Sequence, residues 1–381
     1  MMPATLPSAK PRVVSKPVRV CFVIDQLGRA GTETQLIALI RALDRARVQP
    51  HLCLLNGNDD ISRSLEPTNC PTLRLGIQSL LRPASLRAAR QLGQFWRRQR
   101  IDIVQTYFLD STYFGALVAK LCGIRRIIRV RNNLGYWMQG AHRYLARLMG
   151  KVTDITLTNS ASGKQAVMEM DKLAAEKVAV LENGVDLERF PPNAPPDLAR
   201  SIVRVGAVGN LRPVKNIDGL IRVAALLRGR YGKLRFEVAG EGDQRSDLER
   251  LIVDKGVQDI FQLRGSVSDV PGFLARQDIA VLCSHSEGMS NALLEYMAAG
   301  RAIVATDVGS NAQLIENGVH GLIVPPRNDE ALASAIADLL EHPENAVAMA
   351  AAARRRVEVL YSREAMVRRF EDFYEKLLTD R

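Results

Sequence analysis

No apolar run in this chain approaches the roughly 20 residues needed to cross a bilayer, so no membrane span is expected. Residues Met1 to Pro17 carry Pro3, Pro7, Pro11 and Pro17 among Ser and Lys. They lack the apolar stretch of a signal peptide and read as a flexible tail. Cysteine is scarce: Cys21, Cys53, Cys70, Cys122 and Cys283 are scattered, odd in number and form no CxxC pair. This excludes a disulfide scaffold or a zinc ribbon and suits buried thiols in a reducing cytoplasm. The five histidines form no cluster with metal-ligand spacing. Aromatic residues are few and are not interleaved with basic ones as stacking platforms for nucleic acid would be. The first loop, Gly28-Arg-Ala-Gly-Thr-Glu33, also lacks G-x-G-x-x-G spacing. That argues against a nicotinamide-dependent oxidoreductase.

What is present is charge, unevenly placed. Residues 1–195 hold 28 Lys and Arg against 15 Asp and Glu, and residues 196–381 hold 24 against 26. The first half is therefore strongly basic and the second slightly acidic. Such an asymmetry suggests that one half faces something anionic. The alternative is a basic solvated face. Arg82, Arg87, Arg90, Arg97, Arg98 and Arg100 concentrate the charge, with Leu86, Leu92, Phe95 and Trp96 among them. On a helix these could form an interfacial segment, or could pack their apolar members on a sheet.

The length suits two domains. Strand-like runs are expected at residues 18–24, 48–55, 101–106, 126–130 and 154–158. Helical periodicity is expected over 32–43, 84–98, 111–121, 141–150 and 162–170. After the stiff segment Pro191-Pro-Asn-Ala-Pro-Pro196 the pattern repeats, with strands at 203–208, 234–239, 260–263, 279–283, 302–305 and 321–324. Residues from about 329 to 378 read as almost wholly helical. Strand–helix alternation of this kind predicts doubly wound parallel sheets. Ligands of such sheets bind beyond the carboxyl ends of the strands.

Three segments sit at such ends. Ser286-Glu-Gly-Met-Ser-Asn-Ala-Leu-Leu-Glu295 carries two carboxylates, Glu287 and Glu295, around a helix predicted to start near Ser290. A helix N-terminus favours phosphate, and carboxylates accept from hydroxyls. A sugar joined to a nucleoside diphosphate offers both. Two solvated acids on a strand–helix unit are the alternative. Val208-Gly-Asn-Leu-Arg-Pro-Val-Lys215 places Gly209 at a strand end, with Arg212 and Lys215 beyond it. Arg supplies a planar fork and Lys a mobile point charge for a pyrophosphate leaving group. In Ala239-Gly-Glu-Gly-Asp243, Gly240, Glu241 and Gly242 could turn beneath a base or ribose, or could be an ordinary turn. Asn183-Gly184 is a turn signal, with Asp186 and Arg189 near the hinge.

Taken together, and in this order along nearly the whole chain, G-R-A-G-T-E, N-G-V-D-L-E-R-F, V-G-N-L-R-P-V-K-N, G-E-G-D and S-E-G-M-S-N-A-L-L-E resemble the retaining, nucleotide-sugar-dependent glycosyltransferases of family four. The resemblance implies a GT-B fold, two Rossmann-like domains facing across a cleft. The first, residues 18–195, would take the acceptor. The second, residues 196–361, would take the donor, and a last helix at about 362–381 could pack back on the first. Arg212 and Lys215 would hold the diphosphate and Glu295 the ribose. Glu287 and the stretch Gly288, Met289, Ser290 and Asn291 would hold the donor sugar and its phosphate, with Gly31 approaching from the opposite domain. Neither metal nor cofactor is implied, in keeping with the absent D-x-D motif. The donor would be a UDP- or GDP-sugar. The acceptor would be a carbohydrate or lipid-linked sugar of polysaccharide, lipopolysaccharide or glycolipid assembly. One departure stands out. Where many members carry a histidine close to the reacting sugar, Ile128-Arg-Val-Arg-Asn-Asn-Leu-Gly-Tyr136 has none, and Arg131 or Asn132 takes the place. Arg131 could instead form a buried ion pair with Asp154 or Asp25. The chain is expected in the cytoplasm, peripheral to an anionic membrane face. A non-catalytic membrane- or polyanion-binding module is the competing reading.

Overall fold

A computed structural model describes residues 16–28, 30–77, 79–80, 82–132 and 141–379. The tail reading for Met1 to Pro17 falls almost wholly outside them, as do Leu134 to Tyr136 of the segment without histidine. Seven strands form the first sheet: β1 (Val18–Ile24), β2 (Val48–Leu54), β3 (Thr72–Arg74), β4 (Ile103–Thr106), β5 (Arg126–Val130), β6 (Ile155–Thr158) and β7 (Val178–Val180), in the order β3-β2-β1-β4-β5-β6-β7. Six form the second: β8 (Val203–Val208), β9 (Leu234–Ala239), β10 (Phe261–Gly265), β11 (Ile279–Leu282), β12 (Ala302–Thr306) and β13 (Leu322–Val324), in the order β10-β9-β8-β11-β12-β13. Every pairing is parallel. Both sheets are doubly wound Rossmann-like units.

The central strands are buried on both faces, as parallel strands covered by helices must be. Val20, Phe22, Ile24, Val205, Val304 and Ile303 are completely inaccessible to solvent. All eleven expected strands are present. The two not foreseen, β3 and β7, have three residues each and lie at opposite edges of the first sheet.

In each sheet the strand order reverses between the first strand of the unit and its fourth: β1 against β4, and β8 against β11. These switch points open a crevice at the carboxyl ends of the strands. The loops that carry the sequence motifs leave β1, β8 and β11 there.

The two halves are tied twice. Val185 bridges to Ser362, and Val185 N donates to Tyr361 O at 2.8 Å. Arg363 then pairs with Asp186 at 2.6 Å. The last helix, Arg363–Thr379, returns to the first sheet, where Met366, Val367 and Tyr374 join the core with Phe22 and Ile128. Tyr374 also donates its hydroxyl to Gln105 Oε1 at 2.8 Å.

Candidate active site

The loop after β8 and the loop after β11 meet. Gly209 N donates to Ala239 O at 3.0 Å, which closes the end of β8. The chain then turns through a short 3₁₀ segment, Pro213–Lys215. Pro213 sets its start, because proline needs no hydrogen bond there and its φ is already helical. Lys215 leaves the end of that turn, and its Nζ lies 2.6 Å from Glu287 Oε1. Ser284 donates its hydroxyl to the same oxygen at 2.7 Å. Arg212 is exposed, and among the described residues its guanidinium has no ion-pair partner. Of the two cations singled out from sequence, Lys215 is thus engaged by Glu287, and Arg212 lies on the surface of the same loop.

The glycine turn after β9 packs directly on this loop. Leu211 N donates to Glu241 O at 2.9 Å. Gly240 has φ +158°, and a Cβ there would sit 1.9 Å from Gly209 O, so only glycine fits. At Gly242 an added Cβ would sit 2.4 Å from Leu211 O. Glu241 itself turns away to pair with Arg245 at 2.7 Å on the surface. The turn therefore shapes the loop of Arg212 and Lys215, and the Glu241 carboxylate is engaged elsewhere.

The helix Asn291–Ala298 starts where its capping residue says it should. Ser290 is in an extended conformation and accepts from Leu293 N at 3.3 Å. Around that terminus the two halves touch. Gly288 packs so closely on the other half that a Cβ would lie 2.4 Å from the carbonyl oxygen of Asn132. Met289 is buried, and its Sδ accepts from Asn183 N at 3.2 Å. Asn291 receives Asn183 Nδ2 at 2.8 Å and Gln35 Nε2 at 3.3 Å, and donates to Gly31 O at 3.3 Å. Gly31 opens the helix Gly31–Ala42 of the first half. Gly31 was expected to approach the diphosphate from the opposite domain; the structure places it against Asn291.

Glu295 is not in contact with Glu287 or Lys215. It lines a separate cavity of about 400 Å³ between the halves, with Asn291, Gln35, Gly28, Asp186 and Arg189. Desolvation pushes its carboxyl up to about 7, opposed by Arg189. Glu287 does not line that cavity, so the two carboxylates that the sequence reading put in one small volume are not brought together in it.

Arg131 is in a buried ion pair, though not with the expected partners. Asp25 accepts from Ser111 N at 2.9 Å, and Asp154 accepts from Ile127 N at 2.7 Å. Arg131 pairs instead with Asp171 at 2.6 Å, and Arg129 pairs with the same Oδ2 at 2.5 Å. Burial lowers the Arg129 pKa against the opposing pull of Asp171. Asp171, Gln35, Asn183 and Ser284 were not foreseen. Gln35 lies one turn beyond Gly31 on a helix read only for its apolar face. Asn183-Gly184 was read as a plain turn. Asp171 is a lone acid at a helix end, with no local signal of its role.

The arginine-rich helix Ala84–Gln99 packs Leu92 and Trp96 into the core of the first half, with Phe95 partly buried against it. The alternative weighed from sequence, apolar packing on the sheet, therefore holds for these three. Leu86 remains 78% exposed. The six arginines face solvent, and among the described residues none enters an ion pair.

Known proteins place the chain. The family described as "Glycosyl transferases group 1" matches residues 203–356, and "Glycosyltransferase Family 4" matches residues 29–189. An α-D-kanosaminyltransferase of Streptomyces kanamyceticus is 35% identical over 36% of each chain. An N-acetylgalactosaminyltransferase of Campylobacter jejuni, which acts on a diphospho-undecaprenol substrate, is 26% identical over 84% of this chain and 89% of that protein. Among solved structures, Anabaena Alr3699/HepE in complex with UDP superposes with a TM-score of 0.80 at 18% identity, covering 94% of this chain and 100% of that one. A glycosyltransferase from Rickettsia africae gives 0.81 at 20% identity, covering 96% and 100%. The chain belongs to family 4 of the glycosyltransferases and is an enzyme of the GT-B fold.

Proposed function

We propose that this enzyme moves a sugar from a nucleoside-diphosphate donor to an acceptor hydroxyl, with retention of anomeric configuration and without a metal ion. The observation that carries the reading is the Lys215–Glu287 contact of 2.6 Å beside the unpaired Arg212. The two cations stand where the diphosphate gains charge as the glycosidic bond breaks. Fixed positive charge at that point is worth most in a closed, water-poor site. Glu287 is held by Lys215 and Ser284, so its second oxygen remains for hydroxyls of the donor sugar. Glu295 offers its carboxylate to the ribose from its cavity between the halves.

In this reading no side chain is the nucleophile. The acceptor oxygen attacks the anomeric carbon from the face that the diphosphate leaves. The sugar–phosphate bond breaks, and the departing phosphate takes the acceptor proton. Arg212 and Lys215 hold the departing phosphate. Packing of Gly288 on Asn132 closes the two halves over the reaction and limits hydrolysis. UDP is present in a structurally similar protein, and a GDP-mannose-dependent mannosyltransferase of Mycobacterium tuberculosis is 26% identical over 71% of this chain. Either base fits this reading. The exposed arginines of the helix Ala84–Gln99 would hold the enzyme at the anionic cytoplasmic face of a membrane, where a lipid-linked acceptor lies.

The test is a panel of UDP- and GDP-sugars in the presence of a chelator, with released nucleoside diphosphate as readout and product anomers assigned by NMR. Turnover with a retained anomer supports the reading. An inverted product, or no release from any donor in the panel, overturns it.

A further inference from the structure

At the switch point of the first sheet the ladder between β1 and β4 runs unbroken. Four residue pairs match, from Val20 with Ile103 to Val23 with Thr106, and Tyr107 N then donates to Val23 O at 2.9 Å. The second sheet differs. There β8 and β11 match only at Val205 with Ile279 and Gly206 with Ala280, although β8 keeps six such pairs with β9 and β11 keeps four with β12. The two strands that lead into the Lys215 and Glu287 loops therefore part early.

A tyrosine stands in the parting. Tyr296 follows Glu295 on the helix Asn291–Ala298 and is completely buried. Its hydroxyl accepts from Val208 N at 2.7 Å and donates to Val281 O at 3.3 Å. Gly209 N is taken by Ala239 O on the β9 side, so Val208 N faces β11. In the register of these two strands, Val208 N and Val281 O would form the next rung of the parallel ladder directly. The phenol oxygen replaces that rung with a bridge of two hydrogen bonds. Both buried backbone groups stay paired while the strands are held apart.

Just beyond the parting, the Lys215 turn is seated on the end of β11. His285 N donates to Val214 O at 2.8 Å, Asn216 Nδ2 donates to Cys283 O at 3.1 Å, and Cys283 Sγ donates to Lys215 O at 3.3 Å. Asn216 holds φ +52°, a left-handed conformation that asparagine tolerates through its short polar side chain. From this seat Lys215 reaches Glu287.

We propose that Tyr296 is a positioning residue of the transfer reaction. Its hydroxyl sets the separation of β8 and β11, the separation sets where the Lys215 turn is seated, and the turn aims the Lys215 ammonium. Fully buried, Tyr296 acts through Lys215 and not on the donor. The inference rests on the reading of Lys215 as a cation for the leaving diphosphate.

Tyr296→Phe keeps the ring and removes the bridging oxygen. Tyr374→Phe is its control, because it also removes a buried, hydrogen-bonded hydroxyl, but in the first half. Donor turnover is measured for both, and for Tyr296→Phe in the Lys215→Ala background, with a thermal melt of each variant. Tyr296→Phe is expected to lower kcat about tenfold with donor KM within about twofold of wild type, the pattern of a contact made in the transition state. Tyr374→Phe keeps its kcat while losing stability to a similar degree. In the Lys215→Ala background Tyr296→Phe lowers turnover less than about twofold further, because residues that act through one another are not additive. Asn216→Gly, which keeps the left-handed turn but loses the bond to Cys283, gives the same fall in kcat with the tyrosine bridge in place. Hydrogen–deuterium exchange without ligand reads the seat itself: residues 208–218 exchange faster in Tyr296→Phe and as in wild type in Tyr374→Phe. A wild-type kcat in Tyr296→Phe, a fall that persists undiminished in Lys215→Ala, or unchanged exchange overturns the proposal. Near-wild-type turnover of Lys215→Ala overturns the donor reading instead, and the positioning of the turn is then scored from the exchange alone.

Discussion

Lys215 and Glu287 lie 72 residues apart in sequence, yet their charged atoms are 2.6 Å apart, across the switch point of the second sheet. This contact joins the loop after β8 to the loop after β11. It keeps a lysine extended at the place where a diphosphate would sit.

Lys215→Ala removes the cation but leaves Glu287 its bond from Ser284, so the fold survives. Loss of one charged contact made in the transition state costs about 3 kcal/mol, or about a hundredfold in rate. Turnover of the donor should fall by at least that factor, with the melting temperature within a few degrees of wild type. Steady-state kinetics beside a thermal melt check both.

Glu295 gives a pH signature. Its carboxyl is raised from 4.5 to about 7 by desolvation, so between those values the folded state holds a proton that the unfolded chain has lost. Its contribution to stability is therefore largest at low pH and falls as pH rises through the window, by on the order of 2–3 kcal/mol at most. In the proposed reading a ribose hydroxyl donates to the ionised form. Nucleotide affinity should accordingly rise from pH 6 to pH 8, with proton release on binding, and Glu295→Gln should flatten both dependences. Titrations in buffers of different ionisation enthalpy measure the proton count.

Asp171 holds two buried guanidinium groups, Arg129 and Arg131. Asp171→Asn leaves both charges without their counterion. Removing one partner of a buried pair typically costs about 3–5 kcal/mol. The denaturant midpoint for the first half should drop accordingly. Replacement of Arg129, Arg131 and Asp171 together by apolar residues of similar size should recover much of the loss.

The exposed arginines predict sedimentation with anionic but not neutral vesicles, released by salt, because surface charges are screened beyond about 10 Å at 0.1 M. Each basic residue near such a surface contributes about 1 kcal/mol. Arg97→Glu with Arg98→Glu should weaken vesicle binding and leave nucleotide binding intact. Equal sedimentation of the double variant and wild type would remove the membrane role from this helix.

Most strands of the doubly wound sheets were legible as apolar-rich runs, the three-residue β13 included. The three-residue edge strands β3 and β7 were not. The Lys215 loop and the Ser290 cap were legible from local chemistry: a glycine at a strand end, a proline at a first turn, a serine before an apolar helix. What was not legible depends on contacts between distant segments. Nothing local to Asp171 announces two arginines 40 and 42 residues away. Nothing local to Glu295 shows that it lines a cavity that Glu287 does not reach. For Trp96 and Leu92 packing on the sheet was the favoured reading over an interfacial one, and the sheet beneath them bears it out.

The most direct measurement is calorimetric titration of wild type and an Arg212→Ala, Lys215→Ala double variant with UDP and GDP in excess chelator. The account predicts that wild type binds at least one of the two without metal and is stabilised by about 2.7 kcal/mol at a hundredfold excess over Kd. The double variant should lose that binding while remaining folded. Wild type that binds neither nucleotide, or a double variant that binds as tightly as wild type, would contradict it.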